Sequence, residues 1–190
     1  MPKTIKSKID FQDFCFENSS VKIIANRTCP EIRLGGLAIG SFEEGNEYET
    51  YYWTASELEK SGIVHFREEE QVDAARLNKI QWTERIQSPS QISKLPENFY
   101  PKTRRFLTRL KTEIVRNPEK MREYERAKQL AQDIINSRLK KIISISSSPG
   151  QAESTLRNLT DEEKFLYEKF SKLVTEWRTK IIEHQEGGSR

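Results

Sequence analysis

Three kinds of side chain in this sequence could do chemistry, and the setting of each limits what it can do. Carboxylates come in clusters: Glu43 with Glu44, Glu68 with Glu69 and Glu70, and Asp161 with Glu162 and Glu163. General acid–base catalysis needs two such groups in one pocket, with surroundings that move their proton affinities apart. The first cluster falls in a turn, and the last falls in the first turn of a helix, where acids complement the helix dipole. Thiols and imidazoles are Cys15, Cys29, His65 and His184. A Cys2His2 zinc site would use all four, but zinc ligands come in closely spaced pairs and these do not. Two free thiols is the better reading. Cations gather at Lys102, Arg104, Arg105, Arg109, Lys111 and Arg116. They could meet phosphates, in salt-dependent binding, or form a solvated helix face. Neither a phosphate-binding loop, nor a nucleophile elbow, nor a zinc-binding helix motif occurs. No catalytic residue, cofactor site or metal site is assigned, and function is sought in surfaces and partners.

The elements that must position such surfaces divide at a change of period. Residues 1–20 are mixed and polar, and Phe11, Phe14 and Phe16 are too apolar for a free tail. They should dock, from a turn or short strand. Strands are predicted over 21–25, 37–42, 48–53 and 63–66, with turns at Gly35-Gly36 and at Glu43-Glu44-Gly45-Asn46. Thr54 with Glu57 has the capping-box pattern, predicting a short helix to about Ser61, stopped at Gly62. Residues 21–66 make a small β module with one short helix, too small to bury a strong core alone, and it is expected to lean on the helical half or on a partner.

From about residue 71 the pattern is helical. Val72, Ala75, Leu77, Ile80 and Trp82 suit one apolar side, and Ser88-Pro89-Ser90 interrupts it. Leu95-Pro96-Glu97-Asn98-Phe99-Tyr100-Pro101 opens the next helix, with Pro101 tolerable only in the first turn. Phe99, Phe106, Leu107, Leu110 and Ile114 recur at helical spacing to about residue 116. Asn117-Pro118 restarts a helix, and Met121, Tyr124, Ala127, Ala131, Ile134, Ile135, Arg138, Leu139 and Ile142 mark one face of it to about residue 143. Lys120, Arg122, Arg126, Lys128, Lys140 and Lys141, interleaved with acids, read as its solvated side. A flexible loop is expected over 144–158. Thr160 with Glu163 is a second capping box, followed by a stripe of Phe165, Leu166, Phe170, Leu173, Val174, Trp177 and Ile181. Residues 185–190 read as a frayed tail.

Fold class is therefore α+β, predominantly α: a small N-terminal β module, 1–66, then a helical bundle, 67–190. Residues 1–66 hold 7 Lys/Arg against 10 Asp/Glu, a net −3, and residues 67–190 hold 25 against 19, a net +6. That mild asymmetry is unlike the single-sign field of a dedicated nucleic-acid binder. No apolar run approaches the ~18 residues of a membrane span, and no signal peptide is seen, so an intracellular protein is expected. The helices carry more apolar stripe than one small chain needs. Trp82, Phe99, Tyr100, Phe106, Leu110, Phe165, Phe170 and Trp177 are the candidates for a subunit interface or for the bundle core.

A resemblance joins these features. Gly40-Ser41-Phe42-Glu43-Glu44-Gly45, Tyr52-Trp53-Thr54-Ala55-Ser56-Glu57-Leu58 and Gly62-Ile63-Val64 are followed by Leu77-Asn78-Lys79-Ile80-Gln81-Trp82-Thr83-Glu84-Arg85 and Leu95-Pro96-Glu97-Asn98-Phe99-Tyr100. The order resembles a GINS subunit of the archaeal type, related to the eukaryotic second and third partners-of-Sld-five, in which the small β domain precedes the helical one. The close, Leu159-Thr160-Asp161-Glu162-Glu163 leading into an aromatic helix, is similar to the end of GINS helical domains. The resemblance implies a non-catalytic scaffold subunit in chromosomal DNA replication, with no cofactor. It implies a 2:2 heterotetramer with a sister subunit, contact with the MCM helicase and a RecJ-like protein, and a place at replication forks in the nucleoid (or the nucleus of a eukaryote). The alternative is a stand-alone helical DNA-binding protein that uses residues 102–116, with Lys102, Arg104, Arg105 and Arg109 as its contacts.

Overall fold

The structure, a computed structural model, describes residues 4–34, 36–88, 91–148 and 153–183. The chain is α+β and mostly α, with a small N-terminal sheet before a helical bundle. Strand β1 (Ser20–Ala25) is the middle of a three-stranded antiparallel sheet, between β4 (Glu47–Tyr51) and β5 (Val64–Phe66). Its alternation sets its faces: Val21, Ile23 and Ala25 are buried while Ser20 and Lys22 meet solvent. Those three pack with Phe42, Leu58, Val64 and Phe66 in the first core. A separate hairpin pairs β2 (Ile32–Leu34) with β3 (Leu37–Ile39), and Gly36 in its turn has φ +90°.

Three expectations for this module need correction. The strand expected over 37–42 ends at Ile39, because Gly40 turns the backbone at φ +83°, and Phe42 returns only as a single bridge to Cys29. The strand expected over 48–53 ends at Tyr51, and helix α2 (Tyr52–Lys60) starts at once. Thr54 therefore caps nothing. It is buried inside the helix, and the N-cap, Tyr51, makes no side-chain bond. The Tyr52 N–H is met instead by the Ser19 carbonyl at 2.9 Å, so the β1–β4 ladder runs into the helix start. The third correction is the largest. Residues expected to form a turn or short strand are a 13-residue helix, α1 (Ile5–Glu17), whose first turn is closed by a Thr4–Ser7 capping box.

Helix α3 (Ala74–Ile86) begins at Asp73, whose side chain accepts the Arg76 N–H at 2.7 Å. It ends before the Ser88-Pro89-Ser90 break, where Pro89 and Ser90 lie outside the described residues. Helix α4 (Phe99–Ile114) keeps Pro101 in its first turn, as its missing N–H requires. Leu95 and Phe99 anchor the motif that opens it, and Pro96, Glu97 and Asn98 stay exposed, with Asn98 left-handed at φ 54°. Asn117 caps a short 3-10 turn, Pro118–Lys120, which leads into the 26-residue α5 (Met121–Ser146). Leu77, Leu95, Phe99, Phe106, Leu110, Ala127 and Ile134 make the bundle core.

The expected loop over 144–158 is partly helix: α5 runs on to Ser146, and Glu153–Arg157 form α6. Helix α7 (Asp161–Ile182) follows the Thr160–Glu163 capping box. It runs in the same direction as α5, since Arg138 meets Glu163 and the Ser147 carbonyl meets Arg178. The expected tail, 185–190, lies outside the described residues. Among the described residues no helix is long and apolar enough to cross a membrane.

Candidate subunit interface

The surface that could bind another chain is shaped by a polar knot inside the bundle. Arg138 sits on the apolar face of α5, one turn from Ile134 and one from Ile142, and is fully buried. A buried guanidinium is tolerable only when its donors are met and its charge is balanced. Its Nη1 donates to Glu84 Oε1 at 2.7 Å and to the Ser93 carbonyl at 2.9 Å. Its Nη2 donates to Glu163 Oε2 at 2.7 Å and to the Asn158 carbonyl at 3.3 Å, and its Nε donates to Glu163 Oε1. All five N–H groups have a partner. Lys141 adds a second cation, donating to Glu84 Oε2 at 2.7 Å. Two cations thus face two carboxylates. Lys141, expected on a solvated face, is buried, because the Glu84 carboxylate of α3 lies against it.

Glu163 has two roles in this knot. It closes the capping box, its Oε2 accepting the Thr160 N–H at 3.0 Å, and it accepts the Tyr100 hydroxyl at 2.6 Å. Helices α3, α4, α5 and α7 therefore meet at one neutral cluster. Burial would push the Glu84 carboxyl up, but hydrogen bonds from Lys141 and Ser93 and the Arg138 charge outweigh it and hold Glu84 below the usual glutamate value. Burial, with the Glu163 charge and hydrogen bond, pushes the Tyr100 phenol up, so it stays a neutral donor. Burial disfavours the Arg138 cation, yet its Glu163 hydrogen bonds and the flanking carboxylates keep it firmly protonated.

With the first half of α7 held there, its second half is left bare. From residue 172 to 183 every residue except Val174 is exposed. Leu173, Trp177 and Ile181 follow at i, i+4 and i+8 with 61%, 63% and 66% of their surface in solvent. Arg178 reaches back to the Ser147 carbonyl at 2.7 Å, so this half stays beside the end of α5. On α3, Trp82 and Ile86 form a second exposed apolar pair. Exposed large apolar side chains aligned on one helix face are candidates for contact with another chain.

The sequence candidates thus separate by burial. Phe99, Phe106 and Leu110 are core; Tyr100, Phe165 and Phe170 are half-buried; Trp82 and Trp177 are exposed. Trp82 is off the core face because Leu77 and Glu84, the buried residues of α3, are seven apart on one side of the helix, and position 82 falls on the opposite side. Glu84, Arg138, Lys141 and Glu163 were not among the candidates. The signal that could have found them is a charge spaced four residues from Ile134 and Ile142 on one face.

The basic run is partly occupied, with Lys111 and Arg116 at its far end exposed. Arg104 donates to Asp13 Oδ1 of α1 at 2.6 Å, and Arg105 pairs with Glu17 of the same helix. Arg109 donates to Gln71 Oε1 at 3.0 Å and lies over the Phe106 ring, and Lys102 is half-buried. Helix α1 is a strap between the two parts: Phe16 is buried against Tyr52 of α2, its acids hold α4, and Gln12 donates to Asp161 of α7 at 3.5 Å. The three phenylalanines expected to dock divide here, since Phe11 and Phe14 remain exposed. Cys15 and Cys29 are free thiols, and His184 lies outside the described residues. Among the described residues no group of three His, Cys, Asp or Glu side chains is placed to hold a metal ion.

Residues 71–182, more than half of the chain, match the Sld5 family profile, described as the GINS complex protein helical bundle domain. No curated protein sequence gives a significant match.

Proposed function

The chain belongs to the GINS family, whose members assemble with other GINS subunits and work in DNA replication, and from that premise we propose that it is a non-catalytic scaffold subunit of the archaeal type that carries its β domain first. The observation behind the proposal is the bare apolar stripe of Leu173, Trp177 and Ile181 on α7, within the matched bundle. Aromatic and aliphatic anchors on a rigid helix are what a permanent interface buries at its centre. A sister subunit is the partner proposed for this stripe, in a 2:2 heterotetramer. The MCM helicase and a RecJ-like protein are the further partners, and replication forks inside the cell are the place. The division at residues 66 and 67 is proposed as the boundary between a docking β module and the assembly bundle.

The alternative, direct DNA binding by 102–116, has less support. Arg104 and Arg105 are met by Asp13 and Glu17, so phosphate would have to displace those acids. Light scattering of the chain alone and mixed with a sister subunit tests the scaffold reading. The expected result is a discrete four-chain species that the double change Leu173→Asp, Trp177→Asp abolishes without loss of helix content. A chain that ignores the sister and binds DNA with steep salt dependence would favour the alternative.

A further inference from the structure

The β module has an open edge that the subunit reading leaves unused. In the β1–β4 ladder the residues that exchange backbone hydrogen bonds can be read from the flanking contacts. Ala25 N–H donates to the Asn46 carbonyl at 3.0 Å and Tyr52 N–H to the Ser19 carbonyl at 2.9 Å. With Val21 opposite Thr50 and Ile23 opposite Tyr48, the bonded positions on β4 are Tyr48 and Thr50. The other side of β1 agrees, because Lys22 and Asn26 bond toward β5, to Arg67 and Ile63. The N–H and C=O groups of Glu47 and Glu49, and the N–H of Tyr51, therefore point away from β1. Strand β4 ends the sheet, and these groups take no other backbone partner among the described residues.

A cleft of about 320 Å³ runs along that edge, between residues 38–42 and β4. Its apolar wall is Ile39, Phe42 and Tyr48, the last two packed edge to face at 5.0 Å. Gly40 has to be glycine for this wall to form: a Cβ there would stand 3.0 Å from the Phe42 ring, on a backbone at φ +83°. The rim is acidic. Glu43, Glu44, Glu47 and Glu49 are all exposed, and residues 41–53 contain no lysine or arginine. Glu47 already pairs with Lys22 at 3.5 Å and Arg67 at 2.9 Å, and Glu49 accepts the Ser20 hydroxyl at 2.6 Å, so a basic segment would share these two carboxylates.

We propose that the β4 edge is a strand-addition site for an extended basic segment of a partner protein. Unpaired edge groups are a template for another strand. A strand laid beside β4 would alternate its side chains, one set against Glu47, Glu49 and Tyr51, the other into the Ile39–Phe42–Tyr48 cleft. The complementary sequence alternates lysine or arginine with aliphatic residues.

The test uses the full chain and a blocked heptapeptide alternating lysine with valine. Binding is followed by fluorescence anisotropy, and amide hydrogen exchange locates it. The expected result is protection of the Glu47, Glu49 and Tyr51 amides, and affinity weakened about tenfold when the peptide is N-methylated on its pairing edge. Glu49→Pro should weaken it similarly, since the Glu49 N–H bonds to nothing within the sheet and proline is tolerated at such edges. Glu49→Lys, which keeps the backbone free, should weaken the lysine peptide and favour a glutamate counterpart. Absence of protection at the three amides, or binding indifferent to N-methylation, would overturn the proposal. So would a dimer of the chain that Glu49→Pro dissolves, because the occupant would then be a second copy. Assembly with the sister subunit is read separately, by mass, and Glu49→Pro should leave it intact.

Discussion

Arg138 of α5 grips Glu163 of α7 with two of its nitrogens, the Nη2 bond measuring 2.7 Å, in a site closed to solvent. The same carboxylate finishes the N-terminal cap of α7. One acidic side chain thus decides both where α7 starts and where it lies on α5. It thereby sets the direction in which the bare Leu173–Trp177–Ile181 stripe is presented.

Removing the cation should be costly. Arg138→Met leaves Glu84 and Glu163 buried with only Lys141 to balance them, and breaking a buried pair in this way costs about 3–5 kcal/mol. Arg138→Lys should recover little of it, because a single ammonium cannot bridge two carboxylates and two carbonyls as the planar fork does. Urea unfolding midpoints measure both. A change within about 0.5 kcal/mol for Arg138→Met, the usual effect of a surface substitution, would show that the knot contributes nothing net.

Acid should loosen the bundle through Glu84. Its carboxyl lies below the ordinary glutamate value of 4.5 in the folded chain, so the folded chain binds its proton less tightly than the unfolded chain does. Its stabilising contribution is complete above that ordinary value and is lost as pH falls through the lower folded value. Wild-type stability should therefore decline on acidification below about pH 4.5, and Glu84→Gln, less stable at neutral pH, should decline less steeply. Stability curves at a series of pH values between neutrality and acid check the difference in slope. Equal slopes would remove Glu84 from the account.

The α1 strap should be detachable. Its ion pairs to Arg104 and Arg105 are partly exposed, and such pairs are worth roughly 0.2–1 kcal/mol each. Asp13→Lys with Glu17→Lys turns both attractions into repulsions. Amide exchange in residues 5–17 should quicken while exchange in α4 and α5 holds. Adding Arg104→Glu and Arg105→Glu should restore protection, a coupling expected only of residues in contact. If DNA affinity also rises in the first variant, the basic run is a surface that α1 masks.

Much of the scaffold was legible from local chemistry. β1, the Glu43-Glu44-Gly45-Asn46 turn, the Asn117-Pro118 restart and the Thr160–Glu163 box are where the residue types place them. Each depends on a few neighbouring residues, whose backbone preferences and short side-chain bonds are the same in any fold.

What the sequence by itself determined, then, was the kind and order of most elements, α1 and α6 apart, and the apolar sides of α4 and α5. The tertiary structure decided the rest, because the deciding partners are distant in the chain. Residues 5–17 carry no single apolar stripe, and their helix rests on Tyr52, Arg104 and Arg105. Thr54 lost its capping role to a bond between Tyr52 and Ser19, a consequence of strand register. Arg138 is buried because Glu84, 54 residues away, and Glu163, 25 residues away, supply the opposite charge. Trp82, Phe106 and Trp177 look alike along the sequence, and only packing separated the one that fills this core from the two left exposed. Periodicity fixes a face, whereas burial is a sum over neighbours that no local window contains.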